Sequence, residues 1–344
     1  MNSNKQNPDF LHIGKLLTDW FRVHGRDLPF RKTKEPYHIW ICEIIFQQTR
    51  IEQGIRHYNE FIRRFPNPAV LADAEPDEVL LYWKGLGYYS RAINLHFAAK
   101  QIMQDYGGKF PAEYSEMLKL KGVGKYTAAA IASICFGAKI PAVDGNFYRV
   151  LSRLFADDVA QGSQKAFEHY SQIALKMMPD DNPGAFNEAV MDLGSAVCKP
   201  RNPLCELCPL KNHCRAFQEG RVHDFPVKTT KTKVTDRSLH YYYIHHGKNF
   251  LIRQRGTVDI WKKLFEFPSE LINGEKWKKT DSTTIKHKLT HRNLTITIDT
   301  VEIEREDEFT NYATQHGLEI CDFEKSQLKS FPRPLQNFIG QKHH

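Results

Sequence analysis

Long apolar segments are absent from this sequence of 344 residues. No run approaches the roughly 20 apolar residues that a membrane-spanning helix requires. The opening stretch, MNSNKQNPDF, is polar and lacks the apolar core of a signal peptide. These absences predict a cytoplasmic protein that has no membrane partner.

Cysteine is scarce, and its distribution argues against a disulfide framework. The chain has 7 cysteines, an odd number, and those at positions 42, 135 and 321 stand alone. The others lie within residues 198–214 with the spacing C-x6-C-x2-C-x5-C, in a loop broken by prolines. Thiolates this close together can surround one tetrahedral centre, so the spacing predicts a metal site and favours zinc and iron–sulfur equally. The candidate ligands are Cys198, Cys205, Cys208 and Cys214.

A strong excess of either charge is missing as well. Lysine and arginine number 48 against 40 aspartates and glutamates, a formal net charge of +8. This modest excess favours a polyanionic partner, although solubility alone would also account for it. The length exceeds that of a typical single domain and predicts two domains.

Hydrophobic periodicity divides the chain into a helical part and a mixed part. Residues 9–194 have helical spacing almost throughout, and one predicted helix begins at Pro36 and runs to about Gln53. Residues 223–237 are rich in lysine and threonine and are predicted to form a basic linker. Beyond this linker we predict strands at 239–245, 249–254 and 294–303 and a short helix near 324–329. The expected organisation is an all-α domain at 1–222, the linker, and an α+β domain at 238–344.

A tight Gly-x-Gly turn lies at the centre of the helical part. Gly122 and Gly124 flank a valine between two helical patterns, and a small-residue helix is predicted from Lys125 to Phe136. Such a turn directs unpaired N–H groups outward at a helix start, which suits a phosphate. An ordinary helix–turn–helix connection is an equally favoured interpretation of these residues alone.

Two carboxylates occupy contrasting settings. Glu43 lies inside the apolar run from Ile39 to Phe46, where a charged carboxylate is costly to bury. We expect its pKa to rise, and it then serves either as one half of a structural salt bridge, somewhat the more common case, or as a proton donor. Asp144 precedes a helix, where an N-cap is the usual role. As a pair, they match the carboxylates that cleave glycosidic bonds through an oxocarbenium-like transition state.

Polar and aromatic residues nearby are candidates for nucleic-acid contacts. Arg26 and Arg31 flank a proline, and they either line a solvated rim or bind phosphates. Gln48 and Thr49 stand near the end of a predicted helix, where they are expected to meet base edges. Tyr88 follows a second Gly-x-Gly turn and either packs on a neighbour or fills a gap in a base stack.

Six motifs occur together in one order along the chain: RDLPFR, EIIFQQTR from Glu43, GLGYYSRA, LKGVGKYTAAAI, AVDGN and the cysteine spacing. In this combination the chain resembles the adenine DNA glycosylases of the MutY type, within the helix–hairpin–helix DNA glycosylase superfamily. The resemblance covers nearly the whole length. It implies an all-α helix–hairpin–helix domain, with the hairpin at 118–132 on a DNA phosphate, and a Nudix-like α+β domain. It also implies a [4Fe–4S] cluster on the four clustered cysteines.

The resemblance further implies roles for individual residues. Glu43 would protonate the adenine and Asp144 would stabilise the sugar cation, with Tyr126 and Asn146 assisting. The partner would be double-stranded DNA with adenine mispaired with 8-oxoguanine or guanine, and the protein a nucleoid-associated monomer. The adenine must leave the base stack, since its ring nitrogens and the sugar C1′ are not reachable within the duplex. The residues expected at the DNA are Arg26, Arg31, Gln48, Thr49, Tyr88, Gly122, Gly124 and Lys125.

The endonuclease III-type glycosylase/lyases are the nearest alternative, because they share this fold and cluster. That family has a nucleophilic lysine where Tyr126 stands here, and a phenol cannot form a Schiff base. Lys125 is adjacent but points about 100° away on a helix. A monofunctional glycosylase is therefore expected. A non-catalytic iron–sulfur DNA-binding protein is the alternative from another class, and the presence of Glu43 and Asp144 disfavours it.

The C-terminal part resembles the family's Nudix-like module, which senses 8-oxoguanine. DIWKKLFEFP matches its Trp-x2-Leu-x-Glu-Phe-Pro stretch, and KLTHRN stands where the family commonly has Phe-Ser-His. Thr290 and His291 are thus candidates for contacts with the oxidised base, although Leu289 replaces the phenylalanine. The glutamate-rich catalytic Nudix signature is absent after Pro268, so hydrolysis of nucleoside diphosphates is not expected.

Overall fold

A computed structural model describes residues 9–228, 234–272 and 277–343. Contacts divide these residues into two compact units. The first unit comprises the described residues up to Asp73 and those from Phe97 to Lys228. The second comprises Ala74–His96 together with the described residues from Val234 onward. The domain boundaries at 222 and 238 stay a prediction. The sequence analysis did not anticipate that residues 74–96 belong to the second unit.

Residues 9–194 are largely helical, as predicted, and local signals set several helix ends. The helices are α1 (Phe10–His24), α2 (Pro36–Ile45), α3 (Ile51–Arg64), α4 (Pro68–Asp73), α5 (Pro76–Tyr82), α6 (Ser90–Tyr106), α7 (Tyr114–Met117), α8 (Lys125–Phe136), α9 (Gly145–Phe155), α10 (Gln164–Met177), α11 (Pro183–Asp192) and α12 (Arg215–Gln218). Asp9 accepts a hydrogen bond from the His12 N–H at 3.0 Å and caps α1. Pro36 occupies the first turn of α2.

The helix predicted from Pro36 to about Gln53 is wrong in one respect. It ends at Ile45, and a new helix begins at Ile51. Between them Gln48 has a φ of 59°, in the left-handed region that interrupts a helix. Gln47 therefore does not continue the face of α2 that carries Glu43. Instead its side-chain amide donates to the Thr127 hydroxyl at 3.4 Å.

Aromatic and aliphatic side chains fill the core of the first unit. Helix α1 packs on α10 and α11, while α8 packs on α2 and α11. Phe147, Tyr170 and Phe186 are completely buried in one cluster. Each fully buried side chain of this size contributes about 1.5–3 kcal/mol through the hydrophobic effect. This packing holds α2, α8, α9 and α11 as a rigid frame for the side chains described below.

A six-stranded sheet organises the second unit. The strands are β1 (Thr235–His246), β2 (Asn249–Gln254), β3 (Phe265–Glu266), β4 (Lys279–Lys288), β5 (Arg292–Glu302) and β6 (Glu319–Cys321). Their order in the sheet is β3-β2-β1-β5-β4, with β6 also paired to β2. Strands β1 and β5 are parallel, from Thr235 opposite Arg292 to His245 opposite Glu302. The helices are α13 (Glu306–Gln315), α14 (Phe323–Gln327) and α15 (Arg333–Lys342).

Parts of the predicted mixed domain are confirmed and parts are not. Strand β2 and the short helix near 324–329 occur where expected. The predicted linker overlaps the sheet, because Thr235–Arg237 already belong to β1. Residues 229–233 of that linker, the first eight residues and residues 273–276 lie outside the described part of the chain. In the part that is described, no helix combines the length and apolar character needed to cross a membrane.

Candidate active site and iron–sulfur loop

The Gly-x-Gly turn joins α7 to α8 and leaves the start of α8 open. Gly122 has a φ of 79°, which favours glycine. Gly124 is the N-cap, makes no side-chain cap, and a Cβ there would meet no atom within 4 Å. The protein's own packing therefore leaves space beside Gly124. The exposed backbone at the start of α8 is suited to an anion that approaches closely.

Lys125 and Tyr126, the first two residues of α8, contact different parts of the first unit. Lys125 is exposed, and its ammonium donates to the Gln164 side chain at 2.9 Å and lies 4.8 Å from the Phe167 ring centroid. Tyr126 is partly buried, and its hydroxyl contacts the Met191 sulfur at 3.5 Å. The predicted divergence of these two side chains is what helical geometry requires. Lys125 is thus engaged with α10, while Tyr126 lies beside Glu43.

Glu43 on α2 has the perturbed pKa that the sequence predicted. Burial raises the pKa of its carboxyl to about 7. A hydrogen bond from Tyr126 opposes this rise, whereas the charges of Glu188 and Asp144 add to it. The structure therefore brings Glu43, Tyr126 and Asp144 into one site. Glu43 forms no ion pair with another described residue, because the nearby Arg31 pairs with Glu188 and Asp192 instead.

Asp144 is both the N-cap of α9 and part of this site. One carboxylate oxygen accepts from the backbone N–H groups of Asn146 at 2.8 Å and Phe147 at 2.9 Å. The other accepts from the Asn146 side-chain amide at 2.7 Å. Burial raises the pKa of Asp144, and these hydrogen bonds oppose the rise. The capping role fixes the orientation of the carboxylate, so it does not exclude a chemical role.

Arg149, which the sequence analysis missed, connects this site to the cysteine loop. Its guanidinium donates at 2.7 Å to the Asn146 side chain and to the carbonyls of Gly194 and Cys198. Gly194 permits this close packing, because a Cβ there would lie 2.7 Å from Asn146. Two arginines four residues apart, Arg149 and Arg153, in the helix that follows Asp144 were the signal that could have revealed it.

Arg26 and Arg31 have internal partners that neither sequence interpretation anticipated. Arg31 donates to Asp192 at 2.7 Å and to Glu188 at 3.0 Å. Arg26 binds the same Asp192 through its side chain and, at 3.0 Å, through its backbone N–H. Burial raises the pKa of Asp192, but the hydrogen bonds from both arginines outweigh it and hold the pKa below its ordinary value. Contact of these arginines with DNA remains a prediction.

Glu188 is a second group that the sequence analysis missed. It lies on α11, and burial raises its pKa while the Arg31 charge lowers it. Its charge in turn contributes to the raised pKa of Glu43. Its position in a helix of mixed composition gave no signal, since its partners come from distant parts of the chain. Gln48 and Thr49, in the loop after α2, are exposed and partly buried respectively.

The four clustered cysteines line one cavity, together with Val197, Phe217 and Arg153. Arg153 donates to the Cys198 sulfur at 3.4 Å and to the Lys199 carbonyl at 2.8 Å. Among the described residues, no three Cys, His, Asp or Glu side chains are close enough to hold one metal ion. Thiol ligands spaced widely around a cavity suit a cluster of several atoms better than a single zinc ion.

In the second unit, Tyr88 and Thr290 meet although they are far apart in sequence. Their hydroxyl oxygens lie 2.5 Å apart. Tyr88 has a φ of 46° and is half exposed. Thr290 and His291 are exposed in the turn between β4 and β5, whereas Leu289 packs on the core. Two residues predicted to lie at the DNA are thus neighbours.

Comparison with protein families identifies the class. Residues 41–174 match the HhH-GPD superfamily of base excision DNA repair proteins. Residues 198–214 match the iron–sulfur binding domain of endonuclease III, and residues 240–341 match a NUDIX domain. Fold and site together define a helix–hairpin–helix DNA glycosylase with a four-iron, four-sulfur cofactor.

Relatives with similar sequences narrow this class. The adenine DNA glycosylase of Buchnera aphidicola subsp. Acyrthosiphon pisum is 33% identical over 339 residues, covering 95% of this chain and 96% of the relative. That of subsp. Schizaphis graminum is 35% identical over 282 residues, 80% and 81% of the two chains. The structure of a thermostable thymine-DNA glycosylase has a TM-score of 0.57 at 29% identity, covering 61% of this chain and 97% of the other. This chain belongs to the adenine DNA glycosylase family, enzymes of base excision repair that act on DNA.

Proposed function

We propose that this enzyme is a monofunctional glycosylase that removes adenine mispaired with 8-oxoguanine or guanine in double-stranded DNA. The observation that carries the proposal is Glu43, whose carboxyl has a pKa of about 7 beside Tyr126 and Asp144. At neutral pH roughly half of such carboxyls hold a proton, which suits a general acid. The mispairs follow from the resemblance of the second unit to the module that senses 8-oxoguanine.

In the proposed reaction, the adenine nucleotide rotates out of the duplex into the site. Glu43 donates its proton to a ring nitrogen of adenine, and the bond between the base and C1′ breaks. The bonding electron pair leaves with the base, and the sugar becomes an oxocarbenium-like cation. The carboxylate of Asp144, oriented by Asn146, stabilises this cation. A water molecule then adds to C1′ and releases a proton, leaving free adenine and an abasic site.

The two residues that begin α8, Lys125 and Tyr126, support monofunctional chemistry. Tyr126 stands beside Glu43, and its phenol cannot form a Schiff base with the sugar. Lys125 donates to Gln164 on α10. The four clustered cysteines would hold the iron–sulfur cluster, which would link distant parts of the 198–214 loop to one another. In the proposed reaction Glu43 transfers the proton, and Asp144, oriented by Asn146, stabilises the cation.

Each of the two units offers residues for the proposed DNA contacts. In the first unit, the open backbone at Gly122 and Gly124 would bind a phosphate, with Lys125 adding positive charge. In the second unit, Tyr88, Thr290 and His291 would contact the base opposite the adenine. The half-exposed ring of Tyr88 is suited to stacking. We also propose that the protein acts as a monomer in the nucleoid.

Excision rates on defined duplexes test the proposed mispair. Single-turnover rates would be measured with one adenine opposite 8-oxoguanine, guanine or thymine. We expect the highest rate opposite 8-oxoguanine, a lower rate opposite guanine and the lowest opposite thymine. Equal rates on all three duplexes would contradict the proposed specificity while leaving adenine excision itself intact.

A further inference from the structure

The loop that joins β2 to β3, residues 256–263, has an unusual backbone. Asp259, Trp261 and Lys263 have φ values of 78°, 56° and 61°, in the left-handed region that side chains with a Cβ rarely adopt. Such a conformation persists only where the surroundings enforce it. The loop is closed at its base by a hydrogen bond from the Lys263 N–H to the Gly256 carbonyl at 3.2 Å.

One carboxylate provides much of this enforcement. Asp259 accepts from both terminal nitrogens of Arg237, at 2.6 and 2.7 Å. It also accepts from Arg255 at 3.2 Å and from Arg292 at 3.4 Å. Arg237 lies on β1, Arg255 directly follows β2, and Arg292 begins β5. Asp259 therefore ties the loop to β1, to β5 and to the residue after β2 through charge-assisted hydrogen bonds, which are stronger than neutral ones.

Arg292, the third of these arginines, lies next to the turn between β4 and β5. Arg292 follows His291, and its carbonyl accepts from the Leu289 N–H at 2.8 Å, which closes the turn. The His291 carbonyl accepts from the Thr235 N–H at 3.1 Å. The loop also packs on the end of β4 that leads into the turn, with the Trp261 ring 6.2 Å from the His287 ring. Trp261 and Leu289 contact the same apolar core.

We propose that Asp259 is a positioning residue that holds the Thr290–His291 turn in the shape needed to recognise 8-oxoguanine. This inference rests on the function proposed above for that turn. The side chain acts through Arg292 and through the loop packed beside the turn. It needs no contact with the DNA, and its negative charge would disfavour one with phosphates.

Because Asp259 is negatively charged, its removal has different effects on DNA affinity and on the preference for 8-oxoguanine, which distinguishes a positioning residue from a DNA-binding residue. Asp259→Asn keeps the size of the side chain but weakens its pairing with three guanidinium groups. Loss of an anion reduces repulsion toward phosphates, so affinity for undamaged duplex should stay equal or increase. The ratio of excision rates opposite 8-oxoguanine and guanine should nevertheless narrow by about fivefold or more, because the turn is no longer held in place.

The test compares this ratio, the affinity for undamaged duplex and the melting temperature in a set of variants. Asp307→Asn is the matched control, because Asp307 is an exposed carboxylate paired with one arginine, Arg305, at 2.6 Å. Arg292→Gln is the second variant, since it removes one partner and leaves the pairs of Asp259 with Arg237 and Arg255. If Asp259 acts through the turn, combining Asp259→Asn with Thr290→Ala narrows the ratio no further than Thr290→Ala alone.

Three results would overturn the inference, and each is distinguishable. The first is a wild-type ratio of the rates opposite 8-oxoguanine and guanine in both Asp259→Asn and Arg292→Gln, together with a narrowed ratio in Thr290→Ala. This result would show that Asp259 does not position the turn, while the proposed function of the turn would stand. An equal loss of rate opposite both bases, with a lower melting temperature, would make Asp259 purely structural. An unchanged ratio in Thr290→Ala and His291→Ala would remove the function of the turn, and the inference with it.

Discussion

Glu43 and Asp192, two carboxylates of the first unit, have opposite pKa shifts, and the comparison explains why one is suited to chemistry. Both are desolvated, which raises a carboxyl pKa. Asp192 receives hydrogen bonds from two arginines, which hold its pKa below the ordinary value. Glu43 has acidic neighbours and a phenol, and its pKa is raised to about 7. A buried carboxyl that is paired with cations stays ionised, whereas one without such a partner keeps its proton more readily and is suited to acid catalysis.

The largest effect is expected from Glu43→Gln, which removes the proton donor. We expect excision to fall by about 10²–10⁴-fold, the range for loss of a general acid. Binding of the mispaired duplex should persist, because it rests on phosphate and stacking contacts. Glu35→Gln, at the exposed start of the same helix, is the control and should retain full activity. Equal losses of binding and excision would mean that Glu43 is structural.

The second largest effect tests the other carboxylate. Asp192→Asn should lower the free energy of unfolding by about 3 kcal/mol, since it leaves Arg26 without its charged partner and Arg31 with Glu188 alone. Chemical denaturation measures this change. Asp27→Asn is the control, because Asp27 forms an exposed pair with Lys32 and should change stability by less than about 1 kcal/mol. Wild-type stability in Asp192→Asn would contradict the structural role.

The pH dependence of stability sharpens the comparison further. The folded pKa of Glu43 is raised, so its contribution is fully present below the unfolded pKa and is lost as pH rises through about 7. The folded pKa of Asp192 is depressed, so its contribution is present above the unfolded pKa and is lost as pH falls. Between about pH 5 and about pH 8, wild type should therefore lose stability relative to Glu43→Gln. Parallel stability curves would contradict the raised pKa.

The smallest effect is expected in the second unit, which we propose contributes specificity for the base opposite the adenine. Thr290→Ala and His291→Ala should each narrow the preference for 8-oxoguanine over guanine by about 3- to 10-fold, the value of one or two polar contacts. Thr295→Ala, an exposed threonine on β5, is the control. A retained preference in both variants would contradict the assignment of these residues to base contacts.

Features encoded by neighbouring residues were predictable from the sequence. The bounds of α8, the raised pKa of Glu43 and the divergence of Lys125 and Tyr126 follow from local spacing and apolar surroundings. The cysteine spacing indicated a metal site but did not distinguish zinc from iron–sulfur, which the resemblance did. The residues after α2 were mispredicted because the left-handed backbone of Gln48 leaves no local signal.

Features that depend on distant partners were not predictable. Arg26 and Arg31 meet Asp192 more than 160 residues away in the chain. Strand β4 has little apolar alternation of its own, and its pairing with β5 determines its structure. Arg149 and Asp259 gain their partners only when several elements pack together. Such contacts require the fold, because sequence patterns report on near neighbours.

The most direct test of the central claim is single-turnover excision on a labelled duplex with one adenine opposite 8-oxoguanine, analysed with and without alkali. We predict adenine release, with strand scission only after alkali, as expected of an enzyme that uses Glu43 and Asp144 and has a tyrosine at position 126. Scission without alkali would contradict monofunctional chemistry and direct attention to Lys125. No adenine release by protein that carries its cluster and binds the mispair would contradict the account as a whole.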